Sequence, residues 1–65
     1  MNRYIIIAYK PTTPETKMVG SFKEFDEADE FAKNFKYNEI ENWGIESLEL
    51  QDLQNGTILK RYRRK

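Results

Sequence analysis

The chain has 65 residues, with 11 lysines and arginines balanced by 11 aspartates and glutamates, and it contains neither cysteine nor histidine. That composition excludes a disulfide framework, thiolate chemistry, histidine general-base catalysis and a Cys/His zinc site. A chain this short forms one domain, residues 1–65, and buries only about 60% of its unfolded surface. Nine aromatic residues, or self-association, must then supply the burial that staples supply in other small proteins.

Charge is unevenly spread. Residues 1–20 carry three cations against one acid, 21–53 three lysines against ten acids, and 54–65 five cations with no acid, so the net values are +2, −7 and +5. Such polarity along a chain suits head-to-tail contacts or an acidic partner at the C-terminal end.

Arg3 to Tyr9 is rich in isoleucine and tyrosine and is apolar in both alternate sets, Ile5/Ile7/Tyr9 and Tyr4/Ile6/Ala8. A strand apolar on both sides belongs in the middle of its sheet. It is too short for a signal peptide and nothing later spans a membrane, which makes a cytoplasmic protein the default expectation. Pro11-Thr12-Thr13-Pro14 reads as a turn, and Thr16 to Gly20 as a weaker edge strand.

Ser21-Phe22-Lys23-Glu24 matches the capping box, which predicts a helix starting at Phe22. Phe25, Ala28, Phe31, Ala32 and Phe35 fall on one face of it, as a core-facing stripe should. Acids crowd its first turns, Lys33 and Lys36 lie near its end, and Asp29 and Lys33 form an attractive i,i+4 pair. Its end is expected near Tyr37, with Asn38 in a left-handed conformation. Asn38 to Gly44 then connects to a strand over Ile45 to Gln51, and Asn55-Gly56 signals a hairpin into a strand over Thr57 to Tyr62. The resulting fold class is α+β: a two-layer ββαββ domain with a four-stranded antiparallel sheet in the order 2-1-3-4 and one amphipathic helix on one face.

Three surfaces are candidate sites. If Ile5, Ile7, Leu48 and Leu50 pack under the helix, Tyr4, Ile6 and Ala8 form an apolar patch on the uncovered face, and such patches mark interaction sites. Trp43 joins them, since tryptophan is enriched among interface anchors, although in so small a domain it also suits a plug at the end of the core. The basic tail Lys60-Arg61-Tyr62-Arg63-Arg64-Lys65 offers five cations for phosphates and one ring for stacking. Against that, basic residues on an edge strand also prevent aggregation, and ten acids in residues 21–53 repel a polyanion. The acidic run around Asp26, Glu27 and Glu30 reads as a solvated helix face, with nucleic-acid mimicry as its functional counterpart.

No phosphate loop, nucleophile elbow or metal-ligand spacing occurs, and no cofactor, metal or small-molecule substrate is expected. The expected function is a small non-enzymatic protein-binding or inhibitory module acting through an apolar sheet face on another protein or on itself as a homodimer. Nucleic-acid binding through the basic segment and Tyr62 is the alternative. In being tiny, cysteine-free and rich in Asn, Lys, Glu and Ile, the chain is similar in composition to small phage and mobile-element reading frames, but no motif in it names a family.

Overall fold

The structure, a computed structural model, describes residues 2–11 and 16–64. Its elements are β1 (Tyr4–Tyr9), β2 (Thr16–Phe22), α1 (Phe25–Lys33), a 3-10 turn (Ile40–Asn42), β3 (Ser47–Asp52) and β4 (Thr57–Arg63). The four strands form one antiparallel sheet in the order β2-β1-β3-β4, with α1 packed on one face. The order and the two-layer architecture are those the sequence implies. The Pro11–Pro14 turn expected between β1 and β2 lies largely outside the described residues.

Which face of β1 the helix covers is opposite to the expectation. Ile6 sits across from Leu50 and Ala8 across from Leu48, and all four are buried with Ile45, Ala28 and Ala32. Directly opposed residues share a sheet face. Leu48 and Leu50 therefore carry Ile6 and Ala8 under the helix with them. Tyr4 follows on the same side, its ring meeting Phe25 edge-on with centroids 6.0 Å apart. Ile5, Ile7 and Tyr9 point to the uncovered face instead.

The helix is shorter than its sequence signal. Ser21 and Phe22 pair with Ile5 and Tyr4 as the last rungs of β2, and the Ser21 hydroxyl accepts a hydrogen bond from Asn2 Nδ2 at 2.8 Å rather than capping the helix. Glu24 is the N-cap, with extended backbone and no side-chain cap bond. At the other end Asn34 closes the helix with φ −100°, its Nδ2 donating to the Glu30 carbonyl at 3.0 Å. No left-handed cap at Asn38 exists, since among the described residues only Gly44 and Gly56 have positive φ. Ala28 and Ala32 form the centre of the buried stripe, where small side chains let the helix lie close to the sheet. The phenylalanines flank it: Phe22, Phe31, Phe35 and Tyr37 run as successive ring contacts 5.0–5.9 Å apart.

Both edge strands are irregular in the same way. The register shifts between Ile6 and Ile7 on the β2 side and between Leu50 and Gln51 on the β4 side, leaving Val19 and Leu59 as the extra residues. Bulges of this kind bend an edge away from further strand pairing. The β3–β4 turn is the four residues Leu53–Gly56, closed by Gly56 N–H to the Asp52 carbonyl at 2.8 Å, with Gly56 at φ +65°.

Leu50→Ala should cost about 2–5 kcal/mol. That is comparable to the whole stability, about 3–5 kcal/mol, available to a core of this size. Ser21→Ala, which removes no cap, should stay within about 0.5 kcal/mol of the parent. Urea titrations followed by circular dichroism measure both; a Ser21→Ala loss above 1 kcal/mol would show that the hydroxyl caps the helix after all.

Candidate binding surfaces

Two surfaces are candidates for binding: the uncovered sheet face and a groove at the C-terminal end of α1. On the sheet face the register aligns Ser21, Ile5, Gln51 and Ile58 in one row, Met18, Ile7, Glu49 and Arg61 in the next, and Thr16, Tyr9, Ser47 and Arg63 in the third. Met18 and Ile58 are 57% and 47% exposed; Met18 extends the half-buried Ile5 and Ile7 to the β2 edge, while Glu49 and Gln51 of β3 separate them from Ile58.

At the centre of this face lies Glu49, buried although no helix covers it. Its Oε1 accepts from the Tyr9 hydroxyl at 2.7 Å and from Gln51 Nε2 at 3.3 Å, and Arg61 Nε approaches Oε2 at 3.2 Å. The carboxylate raises the Tyr9 hydroxyl above its ordinary pKa, first through the hydrogen bond and then through burial. A charge so fully paired is a structural strut of the face rather than a reactive group.

Asp29 plays a similar role on the helix side. It accepts from the Tyr62 hydroxyl at 2.6 Å and from Lys60 Nζ at 3.0 Å, and it keeps the expected pairing with Lys33 at 2.9 Å. The Tyr62 hydrogen bond, followed by those of Lys33 and Lys60, holds its carboxyl well below the usual range. Burial, reinforced by Asp29, drives the Tyr62 hydroxyl upward. Asp52 is the third such group: Arg3 grips it with two bonds of 3.0 Å, Gln54 N–H and Asn55 Nδ2 bond to it across the turn, and Arg3 leads in lowering its pKa.

The residues singled out from sequence are therefore dispersed. Ile6 is fully buried and Tyr4 half-buried under the helix, so neither belongs to an uncovered patch. Trp43 is 79% exposed, beside Ile40 at 93%, and does not plug the core. Gly44, at φ +88°, turns the chain so that Ile45 enters the core in its place. The basic segment is ordered strand through Arg63, not a tail. Lys60 and Arg61 are paired with Asp29 and Glu49, and Tyr62 is half-buried against the core with its hydroxyl committed to Asp29. Lys65 lies outside the described residues. Asp26, Glu27 and Glu30 remain exposed on the outer helix face.

An open depression of about 830 Å³ runs between the end of α1 and the end of β4, bordered by Lys33, Lys36, Arg63 and Arg64 over a floor that includes Phe35, Tyr37 and Tyr62. Its elements come from residues thirty positions apart, which is why no sequence window contains it. The Tyr37 hydroxyl is inaccessible and without a hydrogen-bond partner, and burial raises its pKa. Among the described residues no group of three or more acidic side chains is placed to hold a metal ion, and no helix is long and apolar enough to cross a membrane.

Titration of these groups sets the pH range of the fold. Asp29 and Asp52 have folded pKa values below the ordinary value of about 3.9, so the stability they contribute is complete above about pH 5 and is lost as pH falls through the folded values. Tyr9 and Tyr62 shift upward, so their contribution is present below about pH 10 and is lost above it. Melting temperature should be level between about pH 5 and 9 and fall on both sides. Asp29→Asn should flatten part of the acid limb; an unchanged acid limb in thermal melts would show that Asp29 is not held in this way.

Comparison with family models, with curated proteins and with solved structures returns no match.

Proposed function

We propose that this protein is a non-enzymatic binding module whose contact surface is the uncovered sheet face, with a second copy of the chain as its simplest partner. The observation that carries this reading is the apolar surface of Met18, Ile7 and Ile5, with Ile58 beyond the polar side chains of β3, on a face that no element among the described residues covers. Apolar surface of this kind marks interaction sites.

A second copy suits this surface for two reasons. The domain buries few large side chains, with Ile6, Ile45, Leu48 and Leu50 the largest that are fully enclosed, and it has no covalent or metal staple, so face-to-face packing adds burial that the monomer lacks. The bulged edges oppose association by strand addition, which leaves sheet-on-sheet packing as the geometry open to two copies. A two-fold axis through the face would set each apolar surface against its mate, as a symmetric dimer requires.

Absence of catalysis is part of the proposal. The most buried carboxylates, Glu49 and Asp52, are saturated by donors, and the chain lacks histidine and cysteine.

Sedimentation velocity at micromolar concentrations tests the reading. A concentration-dependent dimer is expected, and Met18→Glu with Ile58→Glu should make the protein monomeric while its circular dichroism spectrum stays folded. A parent that is strictly monomeric up to the highest soluble concentration would overturn self-association.

A further inference from the structure

We infer that the groove between the end of α1 and the end of β4 is a binding site for single-stranded nucleic acid, which adjoins the sheet face at Arg63, a residue that borders both. The groove's border carries Lys33, Lys36, Arg63 and Arg64, its floor aromatic rings, and its lining no acid, in a chain whose net charge is zero and whose residues 21–53 carry ten acids against three lysines. The fold brings this about. Lys60 and Arg61 are drawn onto Asp29 and Glu49, whereas Lys36, Arg63 and Arg64 pair with no acid among the described residues. These three gather at one end of the domain, whereas the other cations without a paired acid, Lys10, Lys17 and Lys23, lie on other segments.

The helix end does not cancel that field. Of the carbonyls that would give a helix C-terminus its negative character, those of Glu30 and Ala32 are covered: Asn34 N–H and Nδ2 both bond to Glu30, and Phe35 N–H bonds to Ala32. Lys33 adds a cation in the last turn. Asp26, Asp29 and Glu30 border an adjacent depression that shares Lys33 with the groove, and Lys33 is paired there with Asp29.

Cations alone would suit any polyanion; the floor narrows the choice. Half-buried Phe35, Tyr37 and Tyr62 present ring surface between the positive borders, the combination by which single strands are held, with phosphates on the cations and bases on the rings. A duplex, whose bases are already stacked, could use only the charges. An acidic peptide could use only the charges as well.

Fluorescence anisotropy with a labelled oligothymidylate of about ten nucleotides tests the site. Binding at 50 mM salt is expected, with log affinity falling against log salt at a slope of about −2, the value for three phosphates on a single strand at about −0.7 each. Lys36→Ala combined with Arg64→Ala alters two exposed side chains and should leave the circular dichroism spectrum intact. It should weaken binding at least tenfold and make the slope shallower by about 1.4. An abasic oligomer of equal length should bind at least tenfold more weakly than the thymidylate. Absence of binding at 50 mM salt, a double variant with unchanged affinity and slope, an abasic strand that binds equally well, or a polyglutamate peptide that competes as effectively as unlabelled thymidylate would each overturn the inference.

Discussion

The register of the two central strands is the constraint on which the rest of the molecule depends. β3 has one apolar side only, because Glu49 and Gln51 separate and follow Leu48 and Leu50. β1 is apolar on both, and takes its orientation from the strand beside it: Ile6 opposes Leu50 and Ala8 opposes Leu48. With Ile6 and Ala8 inward beside Leu48 and Leu50, the helix meets the sheet with Ala28 and Ala32. A slip by one residue would exchange every side chain between the two faces. It would also carry Ile5 and Ile7 under the helix and expose Ile6.

Around this small core, three carboxylates tie distant segments together. Asp52 joins the start of β1 to the β3–β4 turn through Arg3, Asp29 joins the helix to edge strand β4 through Tyr62 and Lys60, and Glu49 joins β1, β3 and β4 on the other face through Tyr9 and Arg61. Each carboxylate has several donors, which offsets the desolvation that an unpaired buried acid would suffer. The acidic middle of the chain and its basic end, opposed in sequence, are thus folded against each other. Of the cations that pair with no acid among the described residues, Lys36, Arg63 and Arg64 line the groove, while Lys10, Lys17 and Lys23 lie elsewhere on the fold.

The strand order could be read from the sequence because a strand apolar on both sides has to be interior, and one helix between two strand pairs leaves little freedom of topology. The orientation of β1 could not, since a two-sided strand offers no internal preference and the decision belongs to its partners. Ser21 through Glu24 carried a genuine helix-start pattern, but two of those residues gain more from pairing with Tyr4 and Ile5 in the ladder. Trp43 by its type suits an interface anchor or a core plug; Gly44 turns the chain there and Ile45 is the residue buried in the core. The pairing of Asp29 with Lys33 was legible because it is local, four residues along one helix. Its bonds to Lys60 and Tyr62 were not, for they span thirty-one and thirty-three residues.

Nuclear Overhauser contacts from the methyl groups of Ile6 and Ile7 test the orientation of β1 most directly, and they do so whether the protein is monomeric or dimeric. With Ile6 turned inward, strong contacts are expected from Ile6 to the methyls of Ala28 and Ala32 and none from Ile7 to the helix. Contacts from Ile7 to Ala28 or Ala32, with Ile6 free of them, would contradict this orientation.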